Sequence, residues 1–218
     1  MENENKNEII NLIKKLDLGI DDINTNQIDI TEDELGDNIP QEIRQEIIKN
    51  SGGKGNWINT KHRKFDSENK FISTETFDLE DESEGTKKAF ALAGILFDIL
   101  KNTRTLIIDE FDARLHPLIS RAILELFNSN ETNPNNAQLI VMSHDTNLLS
   151  PKLFRRDQIW FTEKDRYGAT DLYSLVEYDI SDDAAFENDY IKGRYGAIPY
   201  IGDLSQLINS DGEKKEKS

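Results

Sequence analysis

Along the first fifty residues, apolar positions recur at helical spacing in two places. Ile9, Ile10, Ile13 and Leu16 share one helical face, and Ile39-Pro40 opens a second short segment through Ile43, Ile47 and Ile48. The stretch between them is polar and carries no periodic signal. Ser51-Gly52-Gly53-Lys54-Gly55 then breaks the chain. Beyond it, residues 57–65 and 70–79 alternate apolar with polar around Asp66-Ser67-Glu68-Asn69, which predicts an antiparallel hairpin.

The pattern is more regular after residue 80. A helix is predicted over 83–100, with Ala89, Leu92, Ala93, Leu96, Phe97 and Leu100 on one face. Phe90, Ile95 and Ile99 on its other side predict burial nearly all round. A short β-branched strand follows at 105–109. His116-Pro117 starts another helix, proline taking the first helical position and Leu118, Ile119, Ala122, Ile123, Leu126 and Phe127 facing inward. After a polar loop at 128–136, strands are predicted at 138–142, 159–162 and 172–176. Alternation of strand and helix points to an α/β fold with a mainly parallel sheet. The expected organisation is a helical and polar segment (1–55), a β-hairpin (56–80), an α/β lobe (81–203) and a disordered tail (204–218), which ends in Lys, Glu and Ser alone.

Composition narrows the classes. The chain of 218 residues is long enough for a real core, and without cysteine it holds neither a disulfide scaffold nor a thiolate metal site. No apolar run approaches the roughly 18–20 residues that span a bilayer, and the polar, acidic Met1-Glu2-Asn3-Glu4-Asn5 is unlike a secretory or transit peptide. A cytoplasmic protein is expected. The net charge of −16 opposes binding of nucleic acid over the whole surface. Thirteen acidic residues against five basic ones in the first fifty supply half of that excess, which reads as a solvated surface. A local basic strip at Lys61, Arg63 and Lys64 leaves nucleic acid open as a partner, although exposed charges on a hairpin face are the commoner explanation.

Candidate chemistry centres on Leu106-Ile107-Ile108-Asp109-Glu110, an apolar run ending in two acids. Such a run is a buried parallel strand whose carboxyl end projects acids into a crevice, where open α/β sheets bind ligands. Asp109 would hold magnesium and Glu110 would polarise an attacking water; the plainer account is a strand that simply ends in polar residues. Upstream, Asp81-Glu82-Ser83-Glu84-Gly85-Thr86 precedes the long helix. Ser83 can cap that helix, whose N-terminal amides make an anion site, and Gly85 would let a phosphate approach the backbone. An ordinary cap with acids in the first turn is the alternative, and those acids oppose a phosphate unless cations offset them. Downstream, the 138–142 strand delivers Ser143-His144-Asp145 to the same sheet edge, where His144 would donate to a γ-phosphate.

The order Ser-x-Gly-Thr at a helix start, strand-Asp-Glu, Leu-His-Pro and strand-Ser-His-Asp resembles the second, C-terminal lobe of ABC-type ATPases. Within them it resembles the SMC, RecF and OLD branch, and there the RloA-like ATPases of phage abortive infection. Asp109-Glu110-Phe111-Asp112-Ala113-Arg114-Leu115-His116-Pro117 looks like their Walker B and D-loop. Arg155-Arg156-Asp157-Gln158-Ile159-Trp160-Phe161 and Gly193-Arg194-Tyr195-Gly196-Ala197-Ile198-Pro199 are similar to two further stretches of that group. The resemblance covers residues 77–200 and implies a P-loop NTPase fold with ATP and Mg as cofactors. It implies Asp109 for the metal, Glu110 as general base and His144 as switch histidine. Ser83, Gly85 and Thr86 would contact the γ-phosphate of ATP held by the other subunit of an ATP-sandwiched homodimer. Glu84 departs from the small residue of the transporter signature, and His116 stands where the D-loop aspartate usually is. Arg155-Arg156 and the Arg194 stretch receive no firm role; a structural basic pair is the plain expectation.

A phosphate-binding Walker A loop, Gly-x4-Gly-Lys-Ser/Thr after a strand, does not occur in these 218 residues. At Gly53-Lys54, Ile48 sits where the first glycine belongs and Gly55 follows the lysine. The expectation is an isolated chain that hydrolyses ATP negligibly and needs a Walker A half from outside it. Two other classes remain open: a non-catalytic interaction module that retains the fold, and a metal-dependent hydrolase using Asp109, Glu110, His116, His144 and Asp145, whose ligand types suit Mn or Zn.

Overall fold

The computed structural model describes residues 2–16, 18–36, 39–181 and 184–204, so the expected tail lies, beyond Leu204, outside the described residues. The chain divides into two compact units, residues 1–144 and 145–218.

In the first unit, α1 (Glu2–Lys15) buries Leu12 and Ile13 against Ala93 of α3 (Glu84–Asn102), with Ile9, Ile10 and Leu16 packed around them. That is the helical face read from the sequence, with Leu12 added. The polar stretch after α1 holds a strand, β1 (Asp22–Asp29), which no periodicity announced. Its backbone pairs antiparallel with β2 (Lys54–Phe65), and its buried Ile23 joins the same core as α1. β2 pairs in turn with β3 (Phe71–Asp78), forming the predicted hairpin. The Asp66 carboxylate accepts from the amides of Glu68 and Lys70, both at 2.8 Å, and Asn69 takes the left-handed conformation the turn needs.

Between β1 and β2 lies α2 (Gln41–Ser51), which ends on left-handed Gly52 with the Gly53 amide bonded to the Ile48 carbonyl at 2.8 Å. Gly53-Lys54 therefore closes a helix and opens a strand, the reverse of the strand-loop-helix order of a phosphate loop.

α3 begins at the Ser83 cap and leads to β4 (Thr105–Ile108), then α4 (Pro117–Asn128) and β5 (Gln138–Val141). Pro117 occupies the first turn of α4, and the His116 Nδ1 accepts from the Leu118 amide at 3.2 Å as its cap. Ile123 and Leu124 are buried, but Leu118, expected inside, is 70% exposed. Buried Asn133 steers the chain into β5: its side chain donates to the carbonyls of Phe127 and Ala137 and accepts from the Ala137 amide.

β4 and β5 pair in parallel, Leu106 opposite Leu139 and Ile108 opposite Val141, and these four are half-buried. Their register partners on the other face, Ile107 and Ile140, stay 63% and 50% exposed. Among the described residues parallel pairing is confined to β4 and β5. A mixed α/β architecture of small sheets thus replaces the expected mainly parallel one.

In the second unit, β6 (Trp160–Lys164) and β7 (Thr170–Ser174) are antiparallel. The turn between them is far too short for a parallel crossover, and the Asp165 carboxylate organises it by accepting from the Tyr167 and Ala169 amides. Ile159, Phe161, Leu175, Tyr195 and Phe186 of α5 (Phe186–Ile191) form its core. The unassigned basic pair is structural here: Arg155 grips Asp157 with two hydrogen bonds, and Arg156 donates to the Ile180 carbonyl. No helix among the described residues is long and apolar enough to cross a membrane.

Ile13 is fully buried between α1 and the remainder of its unit. Ile13→Ala is expected to lower the unfolding free energy by about 2–5 kcal/mol in urea melts. A loss under about 0.5 kcal/mol would show that α1 does not belong to this core.

Candidate functional site

β4 ends at Ile108, so Asp109 and Glu110 leave the sheet at its carboxyl end, both exposed. The Asp109 Oδ1 accepts from the Glu110 amide at 2.9 Å. β5 runs parallel beside β4 and ends at Val141, which brings Ser143 and exposed His144 to the same end. The two strand ends are tied by backbone bonds: Met142 donates to the Ile108 carbonyl at 2.9 Å, and Phe111 donates to the Met142 carbonyl at 3.0 Å. Phe111 is completely buried and anchors the turn after the acids. Glu110 and Arg114 adopt positive φ, 49° and 65°, in a chain of L-residues where that conformation is strained.

Asp112, which no motif flagged as functional, joins the two turns. Its Oδ1 accepts from the His144 amide at 3.2 Å, and its carboxylate also bonds the Ser143 side chain. Partial burial opposes ionisation of Asp112. The hydrogen bonds from Ser143, its own amide and the His144 amide, together with the His144 charge, outweigh burial and hold the carboxyl below its ordinary range. A short acidic residue two positions past an Asp-Glu pair is the only sequence signal that could have found it.

The Ser83–Thr86 segment lies at the start of α3. Ser83 Oγ accepts from the Thr86 amide at 3.1 Å and is 2.9 Å from the Thr86 hydroxyl, which is buried. The amides of Glu84 and Gly85 belong to the part of the first turn that no intrahelical carbonyl reaches. Gly85 has a reason within the chain: a Cβ there would lie 2.7 Å from the Arg114 carbonyl oxygen. Close packing of α3 on the turn after β4 thus excludes a side chain, whatever ligand approaches from outside. The acids that would repel an anion are largely matched. Glu84 pairs with Arg114 and Lys87. Glu82 turns back to the sheet, accepting from Thr60 and lying 2.6 Å from the His62 Nε2.

Two residues of the expected alternative hydrolase centre, His116 and Asp145, have capping duties within their own units: His116 caps α4, and Asp145 caps the short helical turn at Thr146–Leu148. Among the described residues no group of three or more His, Asp or Glu side chains is arranged to hold a metal ion. The basic strip is also matched by acids, Lys61 with Asp22, Arg63 with Asp21 and Lys64 with Glu75.

An acidic pair and a histidine thus stand at the carboxyl end of two parallel strands, where open α/β sheets bind ligands. Residues 2–150, about two thirds of the chain, match the family model described as "AAA domain, putative AbiEii toxin, Type IV TA system", and the chain belongs to that family. No curated protein matches it.

Two outcomes follow from this packing. Gly85→Ala should destabilise the fold by about 1–3 kcal/mol in denaturant melts, through the clash with Arg114; an unchanged midpoint would mean that α3 does not sit against that carbonyl. Asp112 has a folded pKa below its unfolded value. Its contribution to stability is present above that value and disappears as pH falls through the folded one. Asp112→Asn should therefore lower stability at pH 7 and flatten its decline on acidification, read from urea midpoints at a series of pH values.

Proposed function

We propose that this chain is the signature, Walker B and switch-histidine half of an ABC-type ATPase, working at an ATP-sandwiched dimer interface. The observation that carries the reading is the shared sheet end, with Asp109-Glu110 leaving β4 and Ser143-His144 leaving the adjacent parallel β5. Membership of an AAA-domain family supports ATPase chemistry in general. The ABC subtype, the dimer and a role in phage defence go further and belong to this proposal; the toxin–antitoxin system in the family's description is in keeping with the last.

In this reading Glu110 takes the proton of the attacking water and His144 donates to the terminal phosphate, with Asp112 holding the His144 backbone. Asp109 would hold the magnesium ion. Its exposed carboxylate fits that ion, which draws most of its ligands from phosphates and water and needs no three-residue protein cage. ATP with magnesium supplies the transferable phosphoryl group. Ser83, Gly85 and Thr86 offer the start of α3 to the γ-phosphate of the other subunit's nucleotide.

The Walker A half comes from outside these 218 residues. Parallel sheets are covered on both faces, yet Ile107 and Ile140 are exposed side by side on one face of β4 and β5. A further layer of strand and helix would cover that face and bring the phosphate loop to the strand ends.

The purified chain should show negligible ATP turnover with magnesium. Assembled with a polypeptide that carries a Gly-x4-Gly-Lys-Ser/Thr loop, sought first in the reading frame upstream, it should hydrolyse ATP. Glu110→Gln should then lower kcat by about 10²–10⁴-fold. Robust turnover by the chain alone, abolished by Glu110→Gln, would overturn the need for a second half. Absence of nucleotide binding in the assembly would favour the interaction module instead.

A further inference from the structure

The turn that carries Glu110 is held by a residue outside it. Lys88 lies on α3, in the turn of helix that follows the Ser83–Thr86 segment. Its Nζ donates to the Glu110 carbonyl and to the Ala113 carbonyl, 2.8 Å in each case. Those carbonyls open and close a tight turn whose own bond, Ala113 amide to Glu110 carbonyl, is 3.1 Å. The ammonium thus supplies charge-assisted hydrogen bonds to a peptide group in a strained left-handed conformation. Arg114, bonded to Glu84, closes the same contact one residue further on, and its carbonyl takes the space that Gly85 leaves. The helix start and the acidic turn are therefore joined by a cation, an ion pair and a backbone approach.

We infer that Lys88 is a positioning residue that couples the Ser83–Thr86 helix start to Glu110, setting the carboxylate of the base by fixing its backbone. The inference rests on the ATPase reading of that site and adds to it a residue that fixes the backbone of the base from the helix start. A lysine suits this role because its three donors satisfy two carbonyls at once. Arginine can also donate to both, whereas methionine keeps the packing volume and loses every donor.

The test has two arms, each with Lys88→Met, Lys88→Arg and a control, Arg121→Met, which removes a surface cation of α4 that pairs with Glu125. In the isolated chain, hydrogen exchange of the Ala113 amide should quicken in Lys88→Met alone. In the assembled ATPase, Lys88→Met should lower kcat by about ten- to a hundredfold with the KM for ATP changed less than about threefold, as a displaced catalytic group does. Lys88→Arg should recover most of that loss. Unchanged exchange at Ala113, or a kcat preserved in Lys88→Met while Glu110→Gln abolishes turnover, sinks the inference and leaves the ATPase reading standing. An assembly in which neither the wild type nor any variant turns over ATP sinks the ATPase reading, and the catalytic consequence of Lys88 with it.

Discussion

Burial of Phe111 is the constraint on which the acidic end of the sheet depends. Two exposed carboxylates cannot hold a strand end in place, and the residue carrying the second of them sits at a φ that costs about 1–3 kcal/mol. Phe111 is wholly buried, and its amide bonds the carbonyl that follows β5. Burying such a ring stabilises by roughly 2–3 kcal/mol, enough to offset the strain next to it. With Phe111 fixed, Asp109 and Glu110 must point outward, Asp112 falls against the turn after β5, and Arg114 meets Gly85. Geometry at three segments distant in sequence follows from one hydrophobic contact.

The elements legible in the sequence are those whose own composition decides them. α3 shows its periodicity and its cap, β4 its β-branched run, and α4 its His-Pro start, and each appears within a residue or two of where the pattern put it. β1 was not legible, because Asp-Ile-Asn-Thr-Asn-Gln-Ile-Asp has two apolar positions and no alternation. It is a strand because β2 offers a row of backbone partners and Ile23 finds a core. The antiparallel pairing of β6 with β7 was missed for another reason. Strand periodicity is silent on direction, and the length of the connecting turn decides it.

Of the candidate site, the titratable motif residues were legible and the groups that hold them were not. Asp109, Glu110 and His144 stand at strand ends, where an apolar run meets a polar side chain. Lys88 acts on carbonyl oxygens 22 and 25 residues away, and no spacing rule in one dimension encodes that. Gly85 shows the same limit from the other side: the glycine was legible, but its immediate reason is the carbonyl of Arg114. In the second unit, Gly193-Arg194-Tyr195-Gly196-Ala197-Ile198-Pro199 likewise gains a packing explanation. The Tyr195 carbonyl accepts from the hydroxyls of Tyr173 and Tyr178, Arg194 pairs with Asp189, and Gly196 leaves room for the Tyr173 hydroxyl.

The same neighbours that build the acidic turn also change what the start of α3 can attract. A helix N-terminus preceded by Asp81 and Glu82 and entered through Glu84 would repel a phosphate if those charges stood free. Glu82 is instead drawn into the sheet by Thr60 and His62, and Glu84 is matched by Arg114 and Lys87. The Arg114 that neutralises Glu84 is held by the turn that displays Glu110, so loosening that turn would return a negative charge to the helix start. The charge at the start of α3 and the display of Glu110 at the end of β4 are, for that reason, set by a single packed junction rather than by two separate features of the chain.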